Sequence, residues 1–150
     1  MPRSAFDPLA LDAQLCFAVY SAAHAFTAAY KPFLEPLGLT YPQYLVLIVL
    51  WEGDGISVGA IGAKLQLDAG TLTPILKRME KAGLIRRPRN PENERQLKVE
   101  LTPKGRALRE RVGEARAQIV CALGGDETPI AQLRAELMKV TQQLRASDQK

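Results

Sequence analysis

Apolar residues near the start of the chain recur three or four positions apart, as they do along one face of a helix. This spacing predicts a first helix over about residues 8–31, and Asp7 and Pro8 suit its cap and first turn. Pro32 and the run Pro36-Leu37-Gly38 are expected to end or bend this helix. A second apolar run predicts another helix over residues 41–51, which stops at a glycine-containing turn.

Two shorter helices are predicted next, over residues 58–65 and 69–82, with a brief turn between them. Asp68 suits the cap of the second of these helices, and Gly83 suits the left-handed position that follows it. Two helices joined in this way form a helix-turn-helix, whose second helix enters the major groove of DNA.

Alternating apolar and polar residues then predict a hairpin with strands over 84–87 and 97–101. The polar stretch 88–95 between these strands is expected to be a loop. Helical spacing returns over residues 103–123 and 129–145. The predicted fold class is therefore mostly α with a small β-hairpin wing.

We expect a single domain, 1–150, with a winged helix-turn-helix lobe over about residues 40–102. The outer helices, within about 8–36 and 103–146, carry more apolar surface than such a lobe can cover. An uncovered apolar stripe needs a partner. The sequence therefore predicts a homodimer in which these dimerisation helices interleave between subunits.

Composition excludes several classes of protein. The chain has two cysteines and one histidine, too few ligands for a thiolate- or histidine-based metal site, and no cofactor is predicted. No apolar run reaches the roughly 18 residues of a membrane span, and the N-terminus lacks the pattern of a signal peptide. We therefore expect a cytoplasmic protein without a membrane partner, whose thiols are kept reduced.

Basic side chains concentrate in the middle of the chain. Residues 64–111 hold 13 basic and 6 acidic residues, a formal charge of +7, whereas the rest of the chain carries −3. A basic region within an acidic frame is typical of a lobe that contacts double-stranded DNA. An ordinary solvated surface has the same signature, so charge alone leaves both interpretations open.

The start of the 69–82 helix is predicted to read base edges, because small residues there allow close approach to the groove. The hairpin tip is expected to carry Arg86, Arg87, Arg89 and Arg95, and arginines placed there suit a narrow minor groove. The predicted DNA-binding residues are Thr71, Thr73, Pro74, Lys77, Arg78, Arg87, Arg89 and Arg95. Asp68 and Arg95 are expected to form an ion pair that fixes the angle of the wing, with a phosphate contact by Arg95 as the alternative.

Three segments carry a family resemblance: DAGTLTPILKRMEKAGLI at 68–85, Glu-Arg at 94–95 and Leu-Thr-Pro-Lys-Gly at 101–105. They resemble the multiple-antibiotic-resistance regulator (MarR) family of winged-helix dimers. The order of the predicted elements also fits this family over nearly the whole chain. The resemblance implies a dimer that binds a pseudo-palindromic operator, usually as a repressor.

Cys16 lies in the first predicted helix and shares a face with Tyr20, four residues later. Tyr30 is fourteen residues from Cys16, about 21 Å along a straight helix. A contact between them therefore needs either a sharp bend or the antiparallel helix of a partner subunit. Tyr41 opens the second helix and can point back at the first. Phenolic hydroxyls favour the reactive thiolate; the other interpretation is an inert cysteine among core aromatics.

Within the MarR family, a cysteine and tyrosines placed as these are resemble the organic hydroperoxide resistance regulators (OhrR). This resemblance implies that Cys16 is the peroxidatic cysteine and that Tyr30 and Tyr41 hydrogen-bond to its sulfur. Some members have a second cysteine where Cys121 lies, and it resolves the oxidised cysteine of the partner subunit into a disulfide. Others use a small external thiol. Cys121 favours the two-cysteine type.

The predicted function is a redox-responsive transcriptional repressor. It binds operator DNA as a reduced homodimer and is released when an organic hydroperoxide oxidises Cys16. The alternative is a MarR-type repressor released by a reversibly bound small aromatic ligand, with Cys16 incidental. A thiol peroxidase is disfavoured, because the 71–78 surface and the arginines of the wing have no purpose in an enzyme.

Overall fold

The computed structural model describes residues 7–148, and that part of the chain forms six α-helices and four short strands. The helices are α1 (Leu15–Leu34), α2 (Tyr41–Glu52), α3 (Val58–Leu65), α4 (Ala69–Lys81), α5 (Pro103–Ala122) and α6 (Glu127–Ser147). The strands are β1 (Ile56–Ser57), β2 (Ile85–Arg86), β3 (Arg89–Asn90) and β4 (Asn93–Leu101). This order confirms the predicted fold class, mostly α with a small β wing.

The first helix differs from its prediction at both ends. Asp7 does not cap it; its carboxylate accepts the Leu9 amide (2.9 Å) in a turn that precedes the short 3₁₀ segment Leu11–Ala13. At the other end α1 passes through Pro32 and stops at Leu34. A proline this close to the C-terminus removes only one helical hydrogen bond, and Leu34 is buried, so packing holds the last turn.

The second helix begins as predicted, through a reciprocal cap. The Thr40 hydroxyl accepts the amide of Gln43 (3.4 Å), and the Gln43 side chain accepts the amide of Thr40 (3.1 Å). These two bonds satisfy amide groups that a helix N-terminus leaves without partners. They also fix the first turn of α2, which carries Tyr41 and Tyr44.

The helix-turn-helix forms over the predicted residues. Ser57 caps α3 through the Ala60 amide (3.1 Å), and the turn between the helices requires Gly62, where a Cβ would lie 2.8 Å from the Leu67 carbonyl oxygen. The inner face of α4, Leu72 and Leu76, is fully buried. The apolar spacing thus correctly separates the buried face of α4 from its exposed one.

The wing is larger than predicted, because the expected loop 88–95 contains β3 and the first part of β4. β4 is the central strand: Val99 is paired with Ile56 of β1, and Leu101 with Ile85 of β2. β3 extends the hairpin by pairing Arg89 with Leu97. This extension is held by backbone hydrogen bonds among mostly exposed polar residues, so no apolar pattern marks it.

Within the single domain that we predicted, the chain forms two compact units that divide inside α5, between Val112 and Gly113. The predicted lobe 40–102 falls in the first unit. The second unit contains the rest of α5 and α6, where Arg116 is paired with Glu127 (2.9 Å).

In residues 7–148 no single helix has the length and apolar character to cross a membrane. One bent pair of segments, Leu15–Leu37 with Tyr41–Glu52, reaches that threshold only when the two are taken together, by length and composition.

Candidate nucleic-acid interface and thiol site

The first turn of α4 is exposed and tightly capped. The Asp68 carboxylate accepts the Thr71 amide (2.6 Å), and hydrogen bonds from the Thr71 backbone and side chain lower the pKa of Asp68 below its usual value. Thr71 and Pro74 are exposed and Thr73 is half-buried. A fixed helix start with short side chains is a surface that fits close to base edges.

Lys77 and Arg78 lie one to two turns further along α4. Both are exposed, and neither forms an ion pair within the described part of the chain. Their charges therefore stay available to neutralise phosphates beside a bound groove.

The arginines of the wing fall into two groups, which corrects the prediction that all of them lie at its tip. Arg87 bonds to Glu80 of α4 (2.5 Å) and its side chain is only 16% exposed. Arg86 is paired with Glu100, the residue opposite it in the β-ladder (2.9 Å). Arg89 and Arg95 are exposed and form no ion pair among residues 7–148. Among the arginines of the wing in the described chain, these last two extend from the hairpin without a paired carboxylate.

The structure does not bring Asp68 and Arg95 together as an ion pair. The carboxylate of Asp68 caps α4, and Arg95 is held through its backbone amide, which donates to the Asn93 side chain (3.2 Å). The carboxylate of Asp68 thus has its hydrogen-bond partner on its own helix. The alternative, a phosphate contact by Arg95, stays a prediction.

Asp54 anchors the wing instead, and sequence reasoning missed it. Its carboxylate accepts the Leu101 amide at the end of β4 (2.8 Å) and the Arg106 guanidinium from α5 (2.5 Å). Trp51 adds a bond from its indole N–H to the Gly105 carbonyl (3.1 Å). The sequence marks the run after α2 only as a helix stop, and no pattern in it identifies these distant partners.

Cys16 is the second residue of α1, and its thiol is free and exposed. Tyr20, on the same face, is 62% exposed and its ring packs against His24 with centroids 4.4 Å apart. The α-helix is continuous from Leu15 to Leu34, so no sharp bend brings Tyr30 back to Cys16. Of the two routes to a contact between Cys16 and Tyr30, the one through a partner subunit remains a prediction.

Three tyrosines form a cluster where α1 meets α2, which we call the tyrosine cluster: Tyr30, Tyr41 and Tyr44. Their ring centroids lie 5.0 to 5.5 Å apart. The Tyr44 hydroxyl donates to the Tyr30 hydroxyl (3.4 Å), and both residues are buried. Burial, and secondarily the neighbouring Tyr30, raise the pKa of Tyr41. Tyr44 was missed by sequence reasoning, although its i, i+3 spacing from Tyr41 was the available signal.

Cys121 lies near the end of α5, in the second compact unit, and is free and exposed. An exposed thiol is accessible to a second thiol or to an oxidised one. Its role as resolving cysteine stays a prediction.

Asp68→Ala is expected to lower both the thermal midpoint of unfolding and the affinity for DNA, because the first turn of α4 loses its cap. Asp68→Asn is the matched control and should retain most of the thermal stability and the DNA affinity, since asparagine caps as well as aspartate.

The depressed pKa of Asp68 means that its stabilising contribution is present above the ordinary pKa of 3.8 and is lost as the pH falls through the pKa of the folded state. Thermal melts from pH 7 to pH 2 check this; equal midpoints for wild type and Asp68→Ala at pH 7 would contradict it.

Relatives of known description match most of the chain. The profile of the MarR family matches residues 39–97. The HTH-type transcriptional regulator TtmR of Methylorubrum extorquens (strain PA1) is 60% identical over 103 residues, 69% of this chain and 53% of TtmR, so the chain spans about half the length of that relative. The organic hydroperoxide resistance transcriptional regulator of Bacillus subtilis (strain 168) is 41% identical over 139 residues, 93% of this chain and 95% of the relative.

Solved structures of related proteins are also similar to this chain. Reduced AbfR bound to DNA has a TM-score of 0.80 and 36% identity, covering 89% of this chain and 94% of that one; AbfR is a protein of Staphylococcus epidermidis. The disulfide form of AbfR, also 36% identical, has a TM-score of 0.69 and covers 89% and 91%. Sequence and fold together place the chain in the MarR family of winged-helix regulators.

Proposed function

We propose that this MarR-family regulator is a repressor that binds operator DNA as a reduced homodimer and leaves it when an organic hydroperoxide oxidises Cys16. The observation that carries the proposal is an exposed thiol at one end of α1 and the tyrosine cluster at the other. Two antiparallel copies of α1 would bring each thiol to the partner's cluster. The likeness to the Bacillus regulator supports the same chemistry.

Binding to DNA would use two surfaces of the first compact unit. The capped start of α4, with Lys77 and Arg78 behind it, fits a major groove. Arg89 and Arg95 of the wing fit the neighbouring minor groove, whose negative potential attracts guanidinium groups. The solved complex of reduced AbfR with DNA supports this use of the fold.

Dimerisation is inferred from large apolar side chains that remain exposed on α1 and α6. Such side chains on long helices need cover from another surface. The exposed ones on α1 are Leu15, Phe17, Val19, Tyr20, Phe26 and Phe33. Those on α6 are Leu133, Leu137, Met138 and Leu144. A second copy of the chain is the partner that the family implies.

The chemistry of the switch has two steps. The Cys16 thiolate attacks the terminal peroxide oxygen, the O–O bond breaks, and a sulfenic acid and an alcohol form after one proton is taken up. The thiol of Cys121 from the partner subunit then attacks the sulfenic sulfur, which forms a disulfide and releases water. The new bond would shift the dimerisation helices, so that the two copies of α4 no longer match successive major grooves.

A binding titration tests the proposal as a whole. A duplex selected by the reduced protein from a random-sequence pool serves as the operator, and fluorescence anisotropy reports its occupancy. One equivalent of cumene hydroperoxide per subunit should release the duplex, and dithiothreitol should restore binding. Release by an aromatic carboxylate, with no effect of the hydroperoxide, would instead favour the reversible-ligand alternative.

A further inference from the structure

We propose that Tyr44 is a positioning residue for the redox reaction: its hydroxyl occupies an acceptor site of the Tyr30 hydroxyl, so that the Tyr30 proton is directed towards the thiolate of Cys16 from the partner subunit. This inference rests on the proposed function. It assigns a role to the member of the tyrosine cluster that the sequence pattern did not single out.

The capacity of a phenol group decides where the protons of the cluster can go. A tyrosine hydroxyl has one proton to donate and lone pairs with which it accepts. The Tyr30 hydroxyl accepts from Tyr44 across 3.4 Å. Its own proton is not used in that bond and must find another acceptor. Because the Tyr30 hydroxyl is buried beside two other rings, the orientation of this proton is set by which acceptor sites are already filled.

Burial explains why the Tyr44 hydroxyl matters more than its ring. Tyr30 and Tyr44 are each only 6% exposed, so water cannot replace a missing partner freely. Between Asp7 and Asp148 no buried side-chain nitrogen or oxygen lacks a hydrogen-bond partner. A hydroxyl that already accepts a bond is also a stronger donor, because hydrogen bonds in a chain polarise one another. Tyr44 would thus both hold the Tyr30 proton in place and strengthen its bond to the thiolate.

Tyr41 completes the arrangement as a second donor. Burial raises its pKa, which keeps its hydroxyl protonated at physiological pH and able to donate. The centroid of its ring lies 5.5 Å from that of Tyr30 and 5.4 Å from that of Tyr44. Tyr30 and Tyr41 would therefore touch the sulfur, and Tyr44 would act through Tyr30.

The test is the pH profile of Cys16 oxidation in the full-length dimer. Stopped-flow mixing with cumene hydroperoxide gives the oxidation rate from pH 5 to pH 9 for wild type, Tyr44→Phe and Trp51→Phe. The last is a matched control, since it removes a different hydrogen bond from α2, the one to Gly105. Tyr44→Phe should be slower by roughly threefold at low pH, the effect of one modest hydrogen bond. Its half-maximal rate should move upward by about half a pH unit, and the rates should converge at high pH, where the thiolate forms without help.

Two results would overturn the proposal. If Tyr44→Phe has the wild-type profile while Tyr30→Phe is slow at low pH, Tyr44 only packs, and the proposed function stands without it. If Trp51→Phe shifts the profile as far as Tyr44→Phe, the effect is a general loosening of α2. If the hydroperoxide oxidises the Cys16→Ser variant as fast as the wild type, by contrast, the proposed function itself is wrong, together with this inference.

Discussion

Cys16→Ser is expected to bind operator DNA like the reduced wild type and to stay bound when organic hydroperoxide is added. A serine hydroxyl is nearly isosteric with the thiol but is not a nucleophile towards peroxide at neutral pH. In the wild type, oxidation should weaken DNA binding by about 5- to 150-fold, the usual range of coupling between two sites. Because Cys16 is exposed at the start of α1, the substitution should leave the fold intact.

Cys121→Ser is the matched control, because it removes the other exposed thiol and leaves Cys16 in place. If Cys121 is the resolving cysteine, the Cys121→Ser variant should still be oxidised at Cys16 but should give no intersubunit disulfide on a non-reducing gel. Hydroperoxide-driven release of Cys16→Ser as complete as that of the wild type would contradict the assignment of Cys16.

Replacing Arg89 and Arg95 together by alanine is expected to weaken operator binding by roughly 10,000-fold, because the dimer loses four arginines and each one that binds DNA contributes about tenfold to the affinity. Both guanidinium groups are exposed on the wing and form no ion pair in the described chain, so both are free to meet DNA. If they neutralise phosphates or lie in the minor groove, the slope of log affinity against log salt should become shallower by about four, because four such charges are lost per dimer. Anisotropy titrations at several salt concentrations measure both quantities.

Arg86→Ala is the control for the wing, because that guanidinium is already paired with Glu100. It should change the affinity by much less than either exposed arginine and leave the salt slope nearly unaltered. An equal loss from Arg86→Ala would mean that net charge, and not the position of the cations on the hairpin, governs binding.

Local chemistry made the middle of the fold predictable. Ser57, Asp68 and Gly83 mark helix ends through bonds or dihedral angles that act within a few residues, so α3 and α4 begin where the sequence indicated. The same reasoning failed at α1. Asp7 and Pro8 offered a helix start, but the Gln14 side chain donates back to the Ala10 carbonyl (3.1 Å), and the helix begins only at Leu15.

The parts of the site that the sequence did not predict depend on contacts between distant residues. Arg87 is drawn to Glu80 across the turn after α4, and Asp54 holds the end of β4 and the start of α5. Neither partner can be identified from spacing along the chain. Tyr44 lies within a strongly apolar run, where a tyrosine is expected to be core; only the fold placed its hydroxyl beside Tyr30.

Release of DNA on oxidation of Cys16 is tested by following DNA occupancy and the oxidation state of Cys16 in one sample. The reduced protein, bound to its selected duplex, is titrated with substoichiometric organic hydroperoxide, and each point is divided between anisotropy and intact-mass analysis of trapped thiols. Occupancy should fall in proportion to the fraction of Cys16 oxidised and should return on reduction. Full occupancy with Cys16 completely oxidised would show that oxidation of this thiol does not release DNA.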